Sequence, residues 1–102
     1  MSFAKIEFYG TFDTRHFCDW IGHRAHKLGL TGRIEAASSE RITLYVQGQE
    51  ELLNAMEVAC SLGPIDADVS HTNLVFIDPA DASDWPNRFQ IDVGPEVLAD
   101  RR

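Results

Sequence analysis

Residues 4–32 read AKIEFYGTFDTRHFCDWIGHRAHKLGLTG, and the change of period inside this stretch decides the architecture. Ala4, Ile6 and Phe8 alternate with Lys5, Glu7 and Tyr9, the pattern of a strand buried on one face only. Gly10 ends that strand. After a short polar loop, Phe17, Ile21, Ala25 and Leu28 recur at the spacing that gathers them on one side of a helix, and Gly29 supplies its stop.

Leu30 to Ala37 reads as a second strand. The turn Ser38, Ser39, Glu40 then leads into Arg41 to Gln47, where Ile42, Leu44 and Val46 alternate with polar neighbours, so the two segments predict a hairpin. From Glu50 to Leu62 a second helical stripe runs through Leu52, Leu53, Met56, Ala59 and Cys60, closed by Gly63 and Pro64. Ala67 to Ile77 is a strand whose alternation slips, since Ala67 and Val69 fit one phase and Leu74 and Phe76 the other. A bulge near Ser70 and His71 reconciles them. Asp78 to Asn87 reads as a loop, Phe89, Ile91 and Val93 as a short last strand, and Gly94 to Arg102 as a mobile tail. The order βαββαβ predicts an α+β domain over 1–93, a ferredoxin-like split βαβ sandwich with both helices on one face of an antiparallel sheet of four or five strands. Such a fold hosts many functions, so chemistry has to be argued from a site.

Composition narrows the partners. With 102 residues, 44% of them apolar, the chain can bury one core and not two. Its net charge of −7, with only nine Lys and Arg, opposes binding to a nucleic-acid backbone. Residues 1–51 hold six basic and seven acidic side chains (6 − 7 = −1), and residues 52–102 hold three and nine (3 − 9 = −6), so a small anion would bind in the first half. No segment has the pattern of a secretory leader or the length of a membrane span, which predicts a cytoplasmic protein with no membrane partner. Cys18 and Cys60 lie in helical patterns without metal-type spacing, as reduced thiols would.

The loop and helix from Gly10 to Gly32 resemble the signature of the acylphosphatase family, which runs GRVQGVGFR and continues through an alanine, LG and LxG. This chain reads GTFDTRHFC, followed by Ala25, Leu28, Gly29, Leu30 and Gly32 at the family spacing. A later family hallmark, GPxxAxV, is matched by Gly63, Pro64, Ala67 and Val69, and a terminal FxI by Phe89 and Ile91. The resemblance implies the ferredoxin-like fold and an enzyme that hydrolyses acyl phosphates to carboxylate and phosphate without a metal or organic cofactor. It also implies that phosphate is held by loop amides and by an arginine at the start of the first helix, while an asparagine in the next strand orients the attacking water. Orphan amides, the positive helix end and a bidentate guanidinium make physical sense of such a site.

At the arginine position this chain has Cys18, and at the asparagine position Ala36, whose methyl group can neither donate nor accept a hydrogen bond. The two loop glycines correspond to Thr14 and His16, and Asp13 adds a like charge. Losing one preorganised stabiliser of a developing anion costs about a hundred- to a thousand-fold in rate, and losing the positioned water adds to that. No catalytic residue of the family is therefore intact, and Asp13, Thr14, Arg15, His16, Phe17 and Cys18 remain as the phosphate-binding candidates.

Other features have sharper and blander readings. Arg15 could swing inward to replace the missing guanidinium, although a solvated surface arginine is the simpler outcome. Cys18 could be an activated thiolate near Arg15 and His16, but its helical phase beside Ala25 favours a core thiol. His16, Asp19, His23 and His26 share a helix face with Lys27, which reads as a solvated polar face rather than a metal site. Trp20 reads as boundary packing and Trp85 as a cover over the core. Two functions follow as expectations: a catalytically inactive or very weak acylphosphatase-like domain serving as a binding or interaction module, or an acylphosphatase in which Arg15 and loop amides still bind phosphate. The partner would be a small phosphate-containing ligand or a protein, with the chain a monomer or a homodimer; no cofactor, metal or nucleic acid is expected.

Overall fold

A computed structural model describes residues 2–64, 67–78 and 89–91. The elements are β1 (Ser2–Thr11), α1 (Thr14–Lys27), β2 (Thr31–Ala37), β3 (Arg41–Gly48), α2 (Glu50–Leu62), β4 (Asp68–Ile77) and β5 (Phe89–Ile91). One sheet has the order β4-β1-β3-β2-β5. The ferredoxin-like α+β reading therefore holds, with β1 and β3 antiparallel at the centre and β4 and β2 antiparallel outside them. The fifth strand departs from the antiparallel expectation, because β5 runs parallel to β2, pairing Gly32 with Phe89 and Ile34 with Ile91. Val93 of the expected last strand, residues 79–87 of the expected loop with Trp85 among them, and the 94–102 tail lie outside the described residues.

The alternation in the sequence becomes the two faces of the sheet. Ala4, Ile6 and Phe8 of β1 and Ile42, Leu44 and Val46 of β3 are fully buried against the helices, which contribute Phe17, Cys18, Ile21 and Ala25 from α1 and Leu53, Met56 and Cys60 from α2. Each fully buried Ile, Leu or Phe stabilises the fold by about 1.5–3 kcal/mol relative to exposure. The predicted bulge is present: Tyr9 pairs with His71 and Gly10 with Val69, leaving Ser70 as the extra residue, its hydroxyl donating to the Tyr9 carbonyl at 3.1 Å. Gly10 has to be glycine because a Cβ there would collide with the Asp68 carbonyl of β4. Gly32 has φ +137° and meets the Tyr45 backbone as closely, so the same holds for it.

On the helix-free face, Glu7 is buried. Arg41 Nη2 donates to its Oε2 at 2.7 Å, Asn73 Nδ2 donates to its Oε1 at 3.4 Å, and Lys5 Nζ lies 3.8 Å away. The Arg41 guanidinium also sits 5.6 Å from the Tyr9 ring centroid, and Tyr9 packs against His71. Burial alone pushes the Glu7 carboxyl up, but the bonds from Arg41 and Asn73 and the charges of Lys5 and Arg41 outweigh it and hold it below its ordinary value. Among the described residues no helix is long and apolar enough to cross a membrane.

Glu7→Gln should therefore lower stability at neutral pH by about 1–3 kcal/mol, toward the low end because Arg41 is half-exposed. The carboxyl is depressed in the folded state, so its contribution is complete above the unfolded value of 4.5 and is lost as pH falls through the folded value. Urea unfolding of both proteins should show the gap closing in acid; a gap that stays constant would contradict this assignment.

Candidate functional site

The chain leaves β1 at Thr11 and enters α1 at Thr14, and the turn through Phe12 and Asp13 is tethered. The Gly10 amide donates to the Glu40 carbonyl at 3.1 Å and the Phe12 amide to the Ser39 carbonyl at 3.0 Å, so the loop lies against the turn that joins β2 and β3. That turn is held in shape by the Ser38 hydroxyl, which accepts from the Glu40 and Arg41 amides at 3.3 and 3.1 Å. Below the loop, Phe12 and Phe17 are buried with ring centroids 4.9 Å apart, and Phe17 continues the aromatic contacts to Phe8 at 6.0 Å and Trp20 at 6.1 Å. Arg24 in turn stacks on Trp20, 5.1 Å from its centroid.

Asp13 is the helix N-cap, with extended backbone and with its Oδ1 accepting from the His16 amide at 3.0 Å. Its carbonyl accepts from the Phe17 amide at 2.9 Å, the first bond of the helix. α1 consequently begins at Thr14, three residues before the first apolar residue of the stripe, and Thr14 and His16 are helical residues that need no left-handed conformation. The positive helix end and its unpaired amides thus face a carboxylate supplied by the chain itself.

The structure brings Asp13, Thr14, Arg15 and His16 together in one turn, with Asp13, Arg15 and His16 exposed and Thr14 buried. Phe17 and Cys18 point the other way, into the core. Cys18 has no exposed surface, and burial, reinforced by the Asp19 charge, pushes its thiol up to about 12. Burial raises Cys60 as well, against a smaller opposing effect of Arg24. Ala36 is exposed near the C-terminal end of β2, the end that leads into the turn against which the loop lies. It follows a second bulge, which the sequence did not reveal: Ile34 pairs with Leu44 and Ala36 with Thr43, so Glu35 is the extra residue. The bulge restarts the alternation, placing Ala36 on the Thr43 side of the sheet and Ala37 opposite Ile42. The polar face of α1 is exposed at His16, Asp19, His23, His26 and Lys27, and among the described residues no group of three or more His, Cys, Asp or Glu side chains is placed to hold a metal.

With that geometry in view, the comparisons with known proteins are specific. The sequence pattern described as Acylphosphatase matches residues 4–91, and the chain belongs to the acylphosphatase family. The crystal structure of acylphosphatase from Bacillus subtilis superposes with a TM-score of 0.78 at 19% identity, covering 91% of this chain and 100% of that one. An acylphosphatase from Coxiella burnetii gives 0.74 at 22% identity, covering 88% and 90%. Full-length HypF, in its phosphate- and nucleotide-bound form, gives 0.74 at 19% identity, covering 91% of this chain and 12% of that chain. At these identities the superpositions establish the fold. A comparison with curated protein sequences found no match.

Asp13→Ala should cost about 1 kcal/mol, the usual worth of a side-chain N-cap, with the His16 amide resonance moving most. Cys18 and Cys60 should resist iodoacetamide at mildly alkaline pH in the folded protein and react on unfolding in urea. Rapid alkylation of Cys18 in the native state would show that its thiol reaches solvent.

Proposed function

We propose that this chain is an acylphosphatase-family domain that has lost acyl-phosphate hydrolysis and serves as a binding or interaction module. The observation that carries the reading is the bond from the His16 amide to Asp13 Oδ1, because a donor of the loop that the family pattern assigns to phosphate is satisfied by the chain's own carboxylate. A phosphoryl group arriving at the first turn would meet that negative charge. The residue at the family's arginine position supports the same reading, since a buried thiol supplies neither charge nor a bidentate donor. Ala36, at the family's asparagine position, has nothing with which to orient water.

A second reading is favoured by one specific feature. Arg15 is exposed on the first turn of α1, where the Thr14 and Arg15 amides have no intrahelical partners, so a guanidinium and two donors stand on one turn. In that reading the domain is an acylphosphatase with a rebuilt phosphate clamp, cleaving the bond between phosphorus and the acyl oxygen by attack of water.

Hydrolysis of benzoyl phosphate separates the two. The parent protein should give no rate above buffer, and Arg15→Ala should change nothing. Restoring the family pattern with Asp13→Gln, Thr14→Gly, His16→Gly, Cys18→Arg and Ala36→Asn together should raise the rate by about a hundred-fold or more. Cys18→Arg alone should fail, because it buries a guanidinium before the loop has been rebuilt to meet it. Turnover by the parent that is lost in Arg15→Ala would establish the second reading instead.

A further inference from the structure

The strand β4 ends the sheet, paired with β1 on one side; among the described residues no strand lies on the other. A free edge presents a row of unpaired N–H and C=O groups, and proteins usually blunt it with a short strand, Lys, Pro or a distorting bulge. At the opposite edge β5 has three residues among those described. β4 has ten and contains no Lys, Arg or Pro. Its bulge at Ser70 leaves His71 to Ile77 in unbroken register with β1. Val75, opposite Lys5, and Phe76, opposite Ala4, are 48% and 45% exposed, so an apolar side chain flanks the edge on each face of the sheet.

Charge selects the occupant. From Ile42 to Asn87 the sequence contains no Lys or Arg. α2 packs beside β4, with the Thr72 hydroxyl donating to Glu57 Oε2 at 3.0 Å, and this helix also carries Glu50 and Glu51. Asp68 begins the strand and Asp78 follows it. Among the described residues, Lys5 on the adjoining strand β1 is drawn toward Glu7. A second copy pairing about a two-fold would set these acids against themselves, so like charge opposes self-association along this edge.

We infer that the β4 edge is a strand-addition site for an extended, basic segment of a partner protein, whose backbone pairs with His71 to Ile77. Its apolar side chains would cover Val75 and Phe76, and its lysines or arginines would face Glu57 and Asp68. The site is separate from the β1–α1 loop and stands whichever way the hydrolysis assay falls.

The probe is a synthetic peptide of about eight residues repeating Val-Val-Lys-Lys, which sets both residue types on each face of the added strand and is long enough to match a typical one. Titrated into the full chain, it should give saturable amide shifts along residues 68–77 and on α2. Val75→Lys and Phe76→Lys should each weaken binding at least tenfold; both positions are half-exposed, and unchanged shifts elsewhere verify the fold. The same peptide N-methylated on its pairing edge, or with glutamate in place of lysine, should bind at least tenfold more weakly. Four results would each overturn the proposal: no saturable shift, shifts confined to another surface, equal binding of the methylated or glutamate peptide, or a dimer in sedimentation that Val75→Lys dissolves.

Discussion

An α-helix begins with amides that its own backbone cannot pair and with the positive end of its dipole, so an anion settles there wherever one is within reach. In this domain the anion is the Asp13 carboxylate, bound to the His16 amide at 3.0 Å. Much of the loop's character follows from that bond. It starts the helix at Thr14, makes Thr14 and His16 ordinary helical residues, and points the next apolar pair, Phe17 and Cys18, into the core. A loop organised this way is stable without a ligand. A glycine-rich loop built to cradle phosphate leaves its donors open and lets bound phosphate complete them.

The distinction between retained and replaced family residues has a physical pattern. Gly10 is held by the close approach of β4 and Gly32 by its positive φ against β3, so both belong to the sheet and would be required whatever the domain did. Thr14 and His16, which the proposed reading sets at two family glycines, lie in the first turn of α1 under the cap supplied by Asp13 and need no glycine there. Cys18, which the proposed reading sets at the family's arginine position, lies in the core with Phe17 and Ile21. On the proposed reading, framework and chemistry are separable, because the glycines that secure the sheet are distinct from the loop positions that would hold a phosphoryl group.

Most of the fold was legible in the residues. The alternation from Ala4 to Tyr9 and the stripe from Leu52 to Cys60 each have one buried solution, and α2 has the bounds read from the sequence. The bulge at Ser70 was visible because apolar residues on either side of it fall out of phase. The bulge at Glu35 was hidden, since Ala36 and Ala37 are small enough to sit on either face and leave no phase to break. β5 could be placed as a strand but not oriented, because three residues carry no signal of direction. At the loop, Asp13 reads from sequence as a charge that repels phosphate; its role as cap depends on where the helix starts, which the apolar stripe beginning at Phe17 does not disclose. The exposed edge of β4 is likewise a property of sheet order, which no local pattern encodes.

On the proposed reading, the β1–α1 loop is closed to phosphate by the chain's own carboxylate. Titration of the native protein with inorganic phosphate, followed through the amide resonances of residues 10–18, tests it most directly. The account predicts that these resonances stay in place through millimolar phosphate. Saturable shifts centred on Thr14, Arg15 and His16 would contradict it.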